Sequence, residues 1–221
     1  MKNILARYLV FTVGIYILSM GMVLILRSSL GTTPISSFNY VLSLNFPLTF
    51  GTTTFLFNVA LIAFEFWLLR GIRTRRDTVE VLLQLPFSLL LGIFIDANMA
   101  LTESVRPTGY AASLAVLALG CTVQAVGIVL EIKPQVVKMS AEGFVVYAAR
   151  RYNRDFGRTK VLFDVVLVLL AVAASLALSR KIEGVREGTV IAACVTGFIV
   201  SFLSRYVFTR ANFERVFPFR Y

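Results

Sequence analysis

The chain has 221 residues, of which 57% are apolar and only 15% are charged, and its mean hydropathy is +0.80. Soluble domains carry about 25% charged residues, so this composition leaves too little polar surface to cover a water-soluble globule. Histidine is absent, and Cys121 and Cys194 show no metal-ligand spacing. These features argue against zinc, redox and histidine-based chemistry.

Six apolar stretches follow one another along the chain, and each is long enough to cross a hydrocarbon core roughly 30 Å thick. The first is interpreted as a membrane helix because it is too long for a signal peptide and no small-residue cleavage site follows. We predict an all-α membrane protein with six transmembrane helices. The predicted spans are Tyr8–Leu26, Gly51–Leu69, Val79–Met99, Tyr110–Ile132, Thr159–Leu178 and Gly188–Phe208.

Two further helices are predicted that are too short to cross by themselves, one within residues 32–50 and one within 133–157. In the first, Thr33 suits the N-cap and Pro34 the first helical position. In the second, Ser140 is the predicted cap and Glu142 falls in the first turn. Each helix is either re-entrant or lies in the interface. The lack of Lys and Arg between Arg27 and Arg70 favours the re-entrant form for the first.

An internal repeat covers most of the chain. At an offset of 106 residues, Gly21–Arg27 aligns with Gly127–Lys133 and Phe50–Asn58 with Phe156–Asp164. Each half has three crossings, so the second half must enter the membrane from the opposite side. Such inverted repeats are common in secondary transporters. We predict one membrane domain, residues 1–221, with repeat 1 at about 8–102, repeat 2 at about 109–208 and a cytoplasmic tail at 209–221.

The net charge of +10 is distributed unevenly along this topology. Seventeen of the 22 Lys and Arg residues fall on the side of the N-terminus and five on the other. This bias obeys the positive-inside rule. It predicts a multi-pass protein of the inner or plasma membrane with both termini in the cytoplasm. Because the basic charge is a topology signal, no nucleic-acid partner is predicted.

Polar side chains at membrane depth indicate cavities or function. Glu142 is predicted to be a proton or cation site, or else to complement the dipole of its helix. Asp164 and Asn58 are equivalent in the two repeats and either bind a ligand or join helices. The predicted substrate-binding residues are two acids and four neutral side chains: Glu142, Asp164, Gln124, Asn58, Ser36 and Asn39.

Other polar residues are given structural interpretations. Glu65 and Glu131 are predicted to be interfacial, where they reach water or pair with Arg70 and Lys133. No nucleotide-binding loop, catalytic triad or metal-ligand spacing is present. The sequence therefore predicts neither an enzyme nor a cofactor or metal site.

Three segments carry a family resemblance: residues 29–58, the LLLGIFID stretch at 89–96, and Val185–Val200 with its Arg-Glu-Gly-Thr start. Together they resemble the YczE/YyaS/YitT family of bacterial membrane proteins, and the similarity covers about residues 8–207. At Thr33–Ser37 the chain lacks the acid expected in that family's turn. The resemblance implies a six-helix bacterial membrane protein and supplies no substrate.

The leading functional prediction is a secondary transporter, or a subunit of one, for an unidentified small solute. The two halves would rock about a midplane site, and proton coupling is left open. One alternative is a non-transporting accessory or scaffold protein that holds a partner enzyme through Arg70–Asp77 and the tail Arg215–Tyr221. The other is a passive channel. The predicted partners are the lipid bilayer and the solute, with a homo-oligomer or partner protein left open.

Overall fold

The computed structural model describes residues 2–72 and 74–209, which form helices and no strands. Six helices are long and apolar enough to cross a membrane, as predicted, and no end differs from the prediction by more than four residues. These spans are Ile4–Arg27, which lies in α1 (Lys2–Arg27), Phe50–Leu68 (α3), Arg75–Leu101 (α4), Tyr110–Ile132 (α5), Phe156–Ser179 (α7) and Glu187–Val207, which joins α8 (Glu187–Phe202) to a π-helical turn. The predicted docking tail Arg215–Tyr221 lies outside the described residues.

The two short helices are present as well. α2 runs from Pro34 to Asn45 and α6 from Ser140 to Tyr152. Proline begins α2 as predicted, since its fixed φ suits the first helical position. Both helices bury polar residues: Ser36, Ser37 and Asn39 in α2, and Ser140 in α6. Each is therefore packed within protein along part of its length.

The helices group into two compact units, and neither corresponds to one half of the sequence. Unit 1 comprises the described residues of Met1–Thr33, Ala97–Val136 and Arg186–Tyr221. Unit 2 comprises Pro34–Asp96 and Val137–Val185. Both short helices thus belong to unit 2, together with the spans α3 and α7 and most of α4.

Unit 1 is built on the close antiparallel packing of α1 and α5. A Cβ on Gly14 would lie 2.7 Å from the backbone N of Glu131, and a Cβ on Gly120 would lie 2.7 Å from that of Ile25. Side chains larger than hydrogen would separate the two backbones, so glycine is required at these crossings. The start of α8 joins the same unit, because the Gly188 N–H donates to the Leu30 carbonyl at 2.8 Å.

In unit 2 the two short helices pack on spans from the opposite half of the sequence. α2 packs mainly on α7, and α6 packs mainly on α3. Each short helix also contacts the span that follows it, through the ring pairs Phe38–Phe57 and Phe144–Phe163, whose centroids are 5.9 and 5.2 Å apart. This arrangement places the polar faces of α2 and α6 beside α3 and α7.

Antiparallel packing joins α3 and α4 within unit 2. The Asp96 carboxylate accepts hydrogen bonds from the Gly51 N–H at 2.8 Å and from the Thr49 hydroxyl at 2.6 Å. A carboxylate at this position satisfies donors that are free at the start of α3. Asp96 therefore fixes the beginning of α3 against the end of α4.

Candidate functional site

Glu142 lies in the first turn of α6 and is partly buried. Burial raises its pKa above the ordinary value because desolvation disfavours the charged carboxylate, and the nearby Lys160 ammonium opposes this rise. The predicted cap at Ser140 is wrong: Met139 precedes the helix without a side-chain cap, and the buried Ser140 hydroxyl has no hydrogen-bond partner. Glu142 thus occupies a helix start where a charge is costly and only partly balanced.

Asp164 lies on α7 and forms an ion pair with Lys160. The Lys160 Nζ donates to Asp164 Oδ1 at 2.7 Å, and the two side chains are 27% and 29% exposed. Lys160 also lies 5.6 Å from the centre of the Phe163 ring. Lys160 thus pairs directly with one predicted acid, Asp164, and acts electrostatically on the other, Glu142.

Lys160 is a site residue that the sequence analysis missed, because it was counted with the cytoplasmic positive charges. The signal was present in the spacing, since residues four apart on a helix lie on the same face. A lysine one turn from a carboxylate, inside an apolar span, indicates a local ion pair. The site is therefore a triplet of two acids and one base.

The neutral candidates Ser36, Asn39 and Asn58 lie on α2 and α3 of unit 2 and are all buried. The Asn39 carbonyl accepts a hydrogen bond from the Thr53 hydroxyl at 2.9 Å, which joins α2 to α3. Neither polar atom of the Asn39 side-chain amide has a hydrogen-bond partner. An unpaired buried amide is costly, and it gives α2 one free donor and one free acceptor group.

Gln124 lies on α5 of unit 1, where its backbone contacts Gly21. Its side-chain oxygen is buried and has no hydrogen-bond partner. The other five predicted residues belong to unit 2.

The interfacial prediction for Glu65 is wrong. Its side chain lies on α3, is 0% exposed, and accepts a hydrogen bond from Gln84 Nε2 at 2.8 Å. Glu131 is also buried, at 3% exposed. Proximity to the basic loop at Arg70 suggested exposure, but the turn of α3 that carries Glu65 faces α4 and α6. Glu65 and Gln84 therefore form a second buried polar pair that sequence analysis did not identify.

Comparison with known proteins identifies a family. The model of a family of unknown function, DUF6198, matches residues 5–205, which is nearly the whole chain. No curated protein and no solved structure matches the chain. The resemblance to the YczE/YyaS/YitT family stays a prediction. Because the match extends over all six spans, the chain belongs to the DUF6198 family.

Proposed function

We propose that this protein is a secondary transporter, or a subunit of one, for a small solute that binds beside the short helices of unit 2. The observation that carries the proposal is the packing of α2 on α7 and of α6 on α3. Short helices that end within the protein bring unsatisfied backbone groups and polar side chains to membrane depth, where a solute can bind. Solute recognition and any coupling chemistry are assigned to this region.

An inverted repeat is part of the proposal, and contacts that recur at an offset of 106 residues support it. The ring pair Phe38–Phe57 recurs as Phe144–Phe163. The contact of Gly14 with Glu131 likewise recurs as that of Gly120 with Ile25. Exchange of each member for its counterpart reproduces the other contact, as expected for two copies related by a pseudo-twofold axis.

The charged triplet supplies the proposed coupling chemistry. A proton on Glu142 removes a partly buried negative charge, and loss of that proton leaves two carboxylates near one Lys160 ammonium. The two protonation states therefore differ in local charge and in the free energy of burial. A conformation that exposes Glu142 to water would favour release of the proton, and this links proton binding to the state of the carrier.

The proposed orientation places both termini on the cytoplasmic side of a bacterial plasma membrane. Its support is the excess of Lys and Arg on the N-terminal side of the six spans. Cysteine-accessibility labelling of one position beside Arg75 and another beside Arg106 tests it. The two positions should react from opposite faces of intact cells. Reaction from the same face would contradict both the six-span topology and the inverted repeat.

Flux through purified protein in liposomes tests transport directly. A pH-sensitive dye inside the vesicles reports proton movement while amino acids, sugars, organic acids and amines are added one at a time. We expect one solute class to drive a saturable pH change. Glu142→Gln should lower this coupled flux about tenfold or more, because the group that takes up the proton is lost.

Two variants separate the site from general damage. Glu103→Gln removes an exposed carboxylate from the segment after α4 and should leave flux unchanged. Unchanged flux in both Glu142→Gln and Asp164→Asn would contradict the site assignment. Flux that does not saturate would indicate a channel, and the absence of flux for every class would favour the accessory protein.

A further inference from the structure

Glu65 and Gln84 form a deeply buried polar pair of unit 2, and each lies on a helix that is long and apolar enough to span a membrane. The Gln84 amide donates to Glu65 Oε2 at 2.8 Å, which leaves Glu65 Oε1 and Gln84 Oε1 without hydrogen bonds. Their residues are 0% and 1% exposed. A buried carboxylate oxygen and a buried amide oxygen without donors are each costly, and a cation or a hydrogen-bond donor beside them would offset that cost.

Helix α6 passes directly over this pair. A Cβ built on Gly143 would lie 2.7 Å from Glu65 Oε1 and 2.7 Å from Gln84 Nε2. Ser140 precedes Gly143 by three residues and Ser88 follows Gln84 by four, and these spacings put each serine on the same helix face as its neighbour. Both serine hydroxyls are fully buried and have no hydrogen-bond partner.

Charge limits what can complete this group of four side chains. Glu65 is its only ionisable member. Lys138 Nζ donates to Glu80 Oε2 at 3.0 Å, so its charge is already paired with another carboxylate. The group therefore offers one negatively charged carboxylate oxygen and three neutral oxygens as ligands for a cation. A monovalent cation balances that charge, whereas a divalent cation would leave an excess positive charge buried.

We propose that Glu65, Gln84, Ser88 and Ser140 form a buried binding site for a monovalent hard cation, with Na⁺ as its ligand. The four oxygens without partners are Glu65 Oε1, Gln84 Oε1, Ser88 Oγ and Ser140 Oγ, and a cation satisfies several of them at once. Gly143 allows α6 to approach Glu65 and Gln84 closely, and Ser140 lies about one helical turn before Gly143 on the same face. This binding is independent of the proposed solute transport and can be measured in detergent.

Thermal unfolding of the purified full chain tests the site. NaCl replaces choline chloride at constant ionic strength and mildly alkaline pH, and unfolding is followed by Trp fluorescence. Na⁺ should raise the Tm saturably, because a ligand that binds only the folded state stabilises it, and choline should not. Glu65→Gln should abolish this dependence. Ser140→Ala, which keeps the charge and removes one ligand, should weaken the apparent Na⁺ affinity about tenfold.

Ser43→Ala is the matched control. Its hydroxyl lies in unit 2 but donates within its own helix, to the Tyr40 carbonyl at 2.8 Å, so the Na⁺ affinity should not change. If Glu65→Gln does not fold, Ser140→Ala and Ser88→Ala decide the result. A Tm that depends on pH but not on Na⁺ would mean that the Glu65 carboxyl binds a proton and no Na⁺, and this result would overturn the proposal. Na⁺ stabilisation that is equal in wild type, Ser140→Ala and Ser88→Ala would overturn it as well.

Discussion

In two regions of unit 2 a short helix packs beside a span, but the polar side chains of one region are neutral and those of the other are charged. In the first, α2 and α3 carry Ser36, Thr54 and Asn58. In the second, α6 and α7 carry Glu142, Lys160 and Asp164, each 106 residues later. The aromatic contact between the short helix and its span is present in both.

Charge is not what holds a short helix against its span. The neutral region keeps the aromatic contact, and its Thr54 hydroxyl donates within α3 to the Phe50 carbonyl at 2.8 Å. Lys160 instead reaches Asp164 at 2.7 Å. Because packing suffices in the neutral region, the charges of the other region are not required for helix packing and are available for the proposed binding and coupling.

Substitution of Gly143 should cost the most stability, because α6 approaches Glu65 closely at this glycine. The counterpart position in α2 carries Ser37 instead. Gly143→Ala would force a Cβ to within 2.7 Å of Glu65 Oε1 and Gln84 Nε2. We expect destabilisation of about 2–3 kcal/mol, measured as a loss of Tm in detergent. Ser37→Ala, at the equivalent position, should cost about 1 kcal/mol through loss of its hydroxyl.

Gly197→Ala serves as the control for the glycine substitution. A Cβ there would meet no atom within 4 Å, and alanine favours helix more than glycine does. Stability should therefore stay the same or rise slightly. Equal losses in Gly143→Ala and Gly197→Ala would show that α6 does not approach Glu65 as closely as described.

The next largest loss of stability is expected for substitution of Lys160, whose counterpart in the neutral region is the uncharged Thr54. Lys160→Met leaves Asp164 and Glu142 without their shared cation, and we expect a loss of about 1–2 kcal/mol because both members of the ion pair are partly exposed. Adding Asp164→Asn should recover part of this loss. Thr54→Val, the matching change in the neutral region, should cost less than about 1 kcal/mol. Equal losses from the two single variants would contradict the comparison.

The smallest expected effect is a dependence of stability on pH, which arises from Glu142 in the charged region. The pKa of Glu142 is raised above 4.5 by burial, so the folded protein holds this proton at pH values where the unfolded chain releases it. Its contribution to stability is therefore present below pH 4.5 and is lost as the pH rises through the raised pKa.

Wild-type Tm should accordingly fall more steeply over this pH window than the Tm of Glu142→Gln. Ser36→Ala, the neutral counterpart, should keep the wild-type slope. Measurement of Tm across a pH series in detergent checks both slopes. Parallel curves for wild type and Glu142→Gln would show that Glu142 keeps its ordinary pKa.

Much of the local structure could be predicted from the sequence. The six spans and the start of α2 at Pro34 depend on hydropathy and on backbone preferences that act within a few neighbouring residues. The pair Lys160–Asp164 could also be predicted, since its members are one helical turn apart. The burial of Glu65 could not be predicted, because its partner Gln84 is 19 residues away and across a loop.

The sequence alone identifies six segments that are long and apolar enough to cross a membrane, because the hydropathy of each segment is a property of its own residues. It also determined which residues repeat at an offset of 106. Three features follow from tertiary packing and could not be predicted from the sequence: Glu65 is buried, Gly143 passes over it, and α2 and α6 pack on spans from the opposite half of the sequence. These outcomes depend on which helix faces meet, and that choice is made by packing between residues far apart in the chain.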